Sequence, residues 1–167
     1  MELKGYLERL EKHSEFKEWF NENKDCYFSY AMTVIEKNQQ KEWHIGFYNP
    51  KDDKIATFLV DDERVSLMPE EEVFKKEDSK VNEINRKKMK LDLKEALAKA
   101  TNLQKKEYAK ELPVKIIVIL QNLTEYGNIW NMTFITQQFN TLNVKLDAST
   151  GKVREHKLSS IFSFRQN

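Results

Sequence analysis

Four side chains have the chemistry to hold a metal or act as a nucleophile: His13, Cys26, His44 and His156. Zinc ligands usually come in local pairs two to four residues apart, and none of these four has such a neighbour. A nucleophilic cysteine requires a basic partner and an electropositive setting. Cys26 instead stands just ahead of a β-branched and aromatic run, YFSYAMTVI, and is expected to be a buried thiol. His13 falls on an apolar helical face and is expected to be a packed or boundary residue. Carboxylates cluster at Asp52-Asp53, Asp61-Asp62-Glu63 and Glu70-Glu71-Glu72. Calcium loops place ligands at every second position around a fixed glycine, so these contiguous runs read as solvated turns and a helix start. Ser159-Ser160 lacks the Gly-x-Ser-x-Gly frame of a hydrolase elbow. Gly5, Gly46, Gly127 and Gly151 are too scattered to cradle a phosphate. No catalytic, cofactor-binding or metal residue is therefore assigned, and no cofactor is expected.

One basic run, Arg86-Lys87-Lys88-Met89-Lys90, could touch phosphates while Trp43, Tyr48 and Trp130 stacked on bases. The alternation around both tryptophans turns them toward a core instead, and a charge-rich connector is ordinarily solvated. The whole-chain balance agrees: 28 Lys+Arg against 27 Asp+Glu in 167 residues gives a net charge of +1. Neither nucleic acid nor an anionic membrane is favoured as the main partner by so even a balance. With 40% hydrophobic and 33% charged residues the chain has a core to build. Its longest nearly apolar run, at 114–120, is interrupted by Lys115 and is far short of the about twenty residues needed to span a bilayer. The opening MELKGYLERLEKH has no apolar stretch after its charges, and the single cysteine cannot form an internal disulfide. A cytoplasmic setting is the expectation, and it leaves the Asn-x-Thr sequons at Asn122 and Asn131 without meaning.

Periodicity supplies the elements. Over residues 2–21, Leu3, Tyr6, Leu7, Leu10, His13, Phe16, Trp19 and Phe20 recur at helical steps. Strands are expected at 27–35, at 43–48 and at 55–60, with Asn49-Pro50-Lys51-Asp52-Asp53 as a turn. A short extended piece at 65–68 should lead into a helix start at 69–74, where Pro69 precedes three acids. The order then recurs. Asp92 and Glu95 open a helix that must end before Pro113, and 114–120 is apolar on both faces, which predicts a central strand buried on both sides. A turn at 122–128 leads to alternating strands at 130–135 and 141–147, and Gly151 closes a turn before a hairpin return from Val153.

Trp43 precedes Asp61 by 18 residues and Trp130 precedes Asp147 by 17, each Trp opening a strand and each Asp closing the next. An internal duplication follows from this: a first unit at 1–74, a charged connector at 75–90 and a second unit at 91–167. Their formal charges are −7, +4 and +4, opposite signs that favour contact between the units or head-to-tail association of chains into a homo-oligomer. Leu10, Phe16, Trp19 and Phe20 should cover Ile45 and Phe47, and Leu93, Leu97 and Ala100 should cover the second sheet.

The segment W-N-M-T-F-I at Trp130 followed by T-L-N-V-K-L-D-A-S-T-G-K-V, with Asp147-Ala148 and Gly151 at its turn, resembles the PepSY-like domains. In the first half, Val60-Asp61-Asp62-Glu63-Arg64 lacks the alanine and glycine of that pattern. The resemblance implies an α+β fold of two tandem units, each a helix packed on a curved antiparallel sheet in a cystatin-like layout. It also implies a non-catalytic binding or regulatory module whose partner is a protein or peptide, with peptidases as one class of target.

Overall fold

The computed structural model describes residues 2–69, 71–72 and 80–165. The amphipathic opening forms α1 (Leu3–Lys12) and α2 (Ser14–Glu22), where one continuous helix over 2–21 was expected. His13 divides them with an extended ψ of 139°. The break has a packing consequence: Leu3, Tyr6, Leu7 and Leu10 are buried along α1, while α2 sets Phe16 and Trp19 against Phe58, both with ring centroids 5.3 Å away. Phe20 remains at the rim, more than a third exposed.

Ten strands form among the described residues. They are β1 (Tyr27–Glu36), β2 (Gln39–Gln40), β3 (Trp43–Asn49), β4 (Lys54–Val60), β5 (Val65–Leu67) and β6 (Glu71–Glu72), then, after α3 (Leu93–Glu107), β7 (Pro113–Leu123), β8 (Gly127–Thr136), β9 (Asn140–Asp147) and β10 (Val153–Ser160). Lys37 and Asn38, both at positive φ, make the tight β1–β2 turn. The Asp92 side chain accepts from the Glu95 N–H at 2.7 Å and starts α3 as the capping pattern predicts. Glu71 and Glu72 pair with Ile55 and Lys54 as β6, so that part of the helix start expected at 69–74 is strand; Glu70, Val73 and Phe74 lie outside the described residues. β8 begins three residues before Trp130, so this tryptophan sits within its strand, whereas Trp43 does open β3.

The fold class is α+β, but two separate sheets are not what forms. The strands among the described residues join one antiparallel sheet of order β10-β9-β8-β7-β1-β3-β4-β5, with β2 and β6 as short additions on β1 and β4. The junction is β1 with β7, paired from Tyr30↔Gln121 to Glu36↔Lys115. Left apart, two meanders would each present an unpaired inner edge, and joining them satisfies both rows of backbone groups. The helices share one core: Leu10, Phe16, Ala96 and Ala100 belong to a single buried cluster with Ala31, Ile45, Phe58, Val118, Met132 and Val144. No helix among the described residues is long and apolar enough to cross a membrane.

The cross-strand registers of the two meanders correspond. Trp43, Ile45 and Phe47 face Val60, Phe58 and Ala56, and Trp130, Met132 and Phe134 face Leu146, Val144 and Leu142. All twelve side chains are buried. The closing turns correspond too: Asp61 Oδ1 accepts the N–H groups of Glu63 and Arg64, and Asp147 Oδ1 accepts those of Ser149 and Thr150. Each is an Asx turn.

The connector expected to be solvated is in part a packed strap. Residues 75–79 lie outside the described residues. Beyond them Ile84 is buried in the core and donates its N–H to Phe28 O at 2.9 Å. Asn82 Nδ2 donates to Asn122 O, and Asn128 Nδ2 to Asn85 O at 2.7 Å. A composition-based expectation misses this because one isoleucine among charges is enough to dock a segment whose backbone finds partners.

Two outcomes follow. Trp130, 1% exposed with Nε1 donating to Leu91 O at 3.0 Å, should cost about 3–5 kcal/mol on replacement by alanine in urea unfolding. Burial, reinforced by the hydrogen bond to Asp62 at 2.8 Å and its charge, pushes the Tyr6 hydroxyl up to about 12. Because the folded value lies above the unfolded one, this stability is complete below pH about 10 and is lost as pH rises toward 12. Spectrophotometric titration should show the raised tyrosine, and Asp62→Asn should bring it part of the way down.

Candidate functional site

Alternation along a strand means that residues buried under the helices send their neighbours to the opposite face. On that face β1 presents Met32 and Val34, and β7 presents Ile119 and Ile117 directly across from them. On the same face Leu59 on β4 stands beyond His44, the β3 neighbour of Met32, and Ile135 on β8 lies across from Lys115. All six are half-buried, and among the described residues no helix covers them. The 114–120 strand is central as expected, yet it is buried on one side only: Val118 and Leu120 are enclosed while Ile117 and Ile119 are not.

Polar groups flank the band toward β9 and β10. Asn143 Nδ2 donates to Asn131 Oδ1 at 2.6 Å and to Thr133 Oγ1 at 3.0 Å. Lys145 Nζ binds Glu155 Oε2 at 2.7 Å, and this hydrogen bond and charge hold the Glu155 carboxyl below its ordinary range. Toward β3 the Tyr30 ring lies across Gly46, where an added Cβ would sit 2.0 Å from Tyr30 Cε1, and its hydroxyl meets Thr57 Oγ1 at 2.8 Å. A glycine opposite an aromatic lets the ring lie flat over the backbone and cover it.

The two sheet edges are poor docking strips. β5 is three residues long and follows Asp61, Asp62 and Glu63. β10 carries Arg154, Glu155, His156 and Lys157 in succession. Short and charged edges resist the addition of another strand.

The chemistry-bearing residues are dispersed over the fold. His13 is at the α1–α2 break, Cys26 is buried before β1, and His44 lies on the open face 3.8 Å from Glu42. His156 Nδ1 bonds the Tyr108 hydroxyl at 2.6 Å, with Glu107 3.8 Å from its other nitrogen. Asp53 bonds the Tyr48 hydroxyl, and Asp52 is in the exposed turn between β3 and β4. Backbone N–H donation from Glu63 and Arg64 holds the Asp61 carboxyl low. At Asp147 burial opposes ionisation, yet the N–H groups of Thr150 and Ser149 outweigh it and lower the carboxyl. Both acids act on their own turns. Ser159 and Ser160 end β10, and Arg86 is engaged with Glu11 at 2.5 Å and with the Phe28 ring. Among the described residues no group of three or more His, Cys, Asp and Glu is placed to hold a metal ion.

No family profile and no curated protein matches the sequence. A crystal structure of a candidate lipoprotein from Clostridium difficile 630 is similar in fold, with a TM-score of 0.56 and 10% sequence identity over 87% of this chain and 90% of that one. At this identity the likeness is one of fold alone.

Gly46→Val should force the Tyr30 ring off the sheet and break its bond to Thr57. An overpacking cost of about 1–3 kcal/mol is expected in urea unfolding, and Tyr30→Ala in the same chain should recover part of it.

Proposed function

We propose that this chain is a non-catalytic binding module of PepSY-like build that holds a protein or peptide partner on the helix-free face of its sheet. The observation that carries this is the aliphatic band of Met32, Val34, Ile117 and Ile119 on the two central strands, half-exposed and flanked by amides and an ion pair. A contiguous apolar patch rimmed by polar groups is what a recognition surface requires. An extended segment lying on it would set alternate apolar side chains against the band and turn its polar ones toward Asn131, Asn143 and solvent.

The tandem organisation belongs to the same proposal. Matching registers around Trp43 and Trp130, and matching Asx turns at Asp61 and Asp147, support two copies of one helix-plus-meander unit joined edge to edge. PepSY-like modules are associated with peptidases, so a peptidase or its propeptide is a natural class of partner. Catalysis is not part of the proposal, since the histidines and the cysteine are dispersed over separate elements.

Selection of random ten-residue peptides displayed on phage tests this directly. Wild-type protein should enrich sequences with alternating apolar residues, and Ile119→Lys should weaken the selected peptides by about tenfold or more without lowering the unfolding midpoint appreciably. Enrichment that survives Ile119→Lys and Met32→Lys unchanged, or no enrichment at all, would overturn it.

A further inference from the structure

Segments distant in the chain are tied together where β8 begins. Asn128 clamps the strap, its Nδ2 donating to Asn85 O at 2.7 Å and its Oδ1 accepting the Asn85 N–H at 3.2 Å. Further along, the turn between β9 and β10 holds the strap again: Ala148 O accepts the N–H groups of Lys90 and Leu91, and Ala148 N donates to Asn128 O. Between these anchors lies a groove of about 430 Å³ that Lys87, Lys88 and Lys90 line together. A backbone pinned on both sides of the three lysines fixes where their stems leave the strap, so their charges converge on one place.

None of these three ammonium groups is ion-paired among the described residues. Arg86, next to them, is engaged instead with Glu11 and the Phe28 ring. Asp147 is the acid in the groove's lining, and it is already committed. Its Oδ1 accepts the N–H groups of Ser149 and Thr150, and its other carboxylate oxygen stands 4.0 Å from Arg154 Nε. Unpaired like charges held close together repel one another, and an anion bound among them removes that cost. Hydroxyls add to the donors. Thr150 Oγ1 accepts the Lys152 N–H at 3.3 Å, which leaves its own hydrogen to give, and Ser149 brings a second hydroxyl to the same wall. Ammonium and hydroxyl donors gathered in a small volume suit the several oxygens of a phosphate group. Size selects the kind of phosphate: the groove falls within the range of small-molecule sites, whereas a nucleic-acid strand needs a basic track along its backbone.

We infer that this groove binds a small phosphorylated molecule, with the ammonium groups of Lys87, Lys88 and Lys90 on the phosphate oxygens and the Thr150 hydroxyl donating beside them. The site shares no residue with the aliphatic band of the open face and does not depend on the partner proposed there.

Inorganic pyrophosphate serves as the probe, followed at low salt by backbone N–H signals in proton–nitrogen correlation spectra. It should move the signals of Lys88, Lys90, Gly127 and Thr150 saturably, with a Kd below about 1 mM that rises as salt is added. Lys88→Gln combined with Lys90→Gln, both at exposed positions, should weaken it by about tenfold or more without altering the fold. Lys105→Gln combined with Lys106→Gln removes the same charge from the last turn of α3 and should leave the Kd within about twofold. Failure to saturate by about 10 mM pyrophosphate, equal weakening by the two double variants, or a short single-stranded RNA that binds at these signals and resists displacement by pyrophosphate would overturn the assignment. The first of these is measured on the wild-type chain and needs no variant to fold.

Discussion

The antiparallel pairing of β1 with β7 is the interaction on which the remaining structure depends. It turns two meanders, each with an exposed inner edge, into one sheet whose middle strands are bonded on both sides. Once they are joined, Ala31 and Thr33 lie beside Leu120 and Val118 under the helices, so the cores of the two halves become one cluster. The same pairing fixes the opposite face, because Met32 and Val34 have no choice but to stand next to Ile119 and Ile117.

The described helices serve one side of this sheet. α1 and α2 cover the strands of the first half, α3 those of the second, and the two tryptophans meet between them. The result is a layered α+β arrangement in which one sheet face is buried and the other meets its surroundings. On the open face the binding proposal rests on apolar area without cover.

Much of the fold was legible along the chain. Alternation located the strands around Trp43, Phe58, Met132 and Val144, and Asp92 with Glu95 marked the start of α3. The site was less legible. The run at 114–120 is apolar at nearly every position, and such a run looks the same whether one face or both are covered. The α1–α2 break at His13 left no mark because the helical period continues across it, and Ile84 is a single apolar residue inside a charged stretch.

By itself the sequence determined most of the strands and the helical segments, since those follow from local periodicity and capping, but not the strand at Glu71–Glu72 or the break at His13. Tertiary structure decided that the strands of both halves share a sheet, that a strap from the connector closes it near Phe28, and that one aliphatic face stays open. Each of these depends on which backbone edges meet, and hydrogen bonds between strands whose partners are 79 to 91 residues apart leave no period in the chain for a sequence pattern to display.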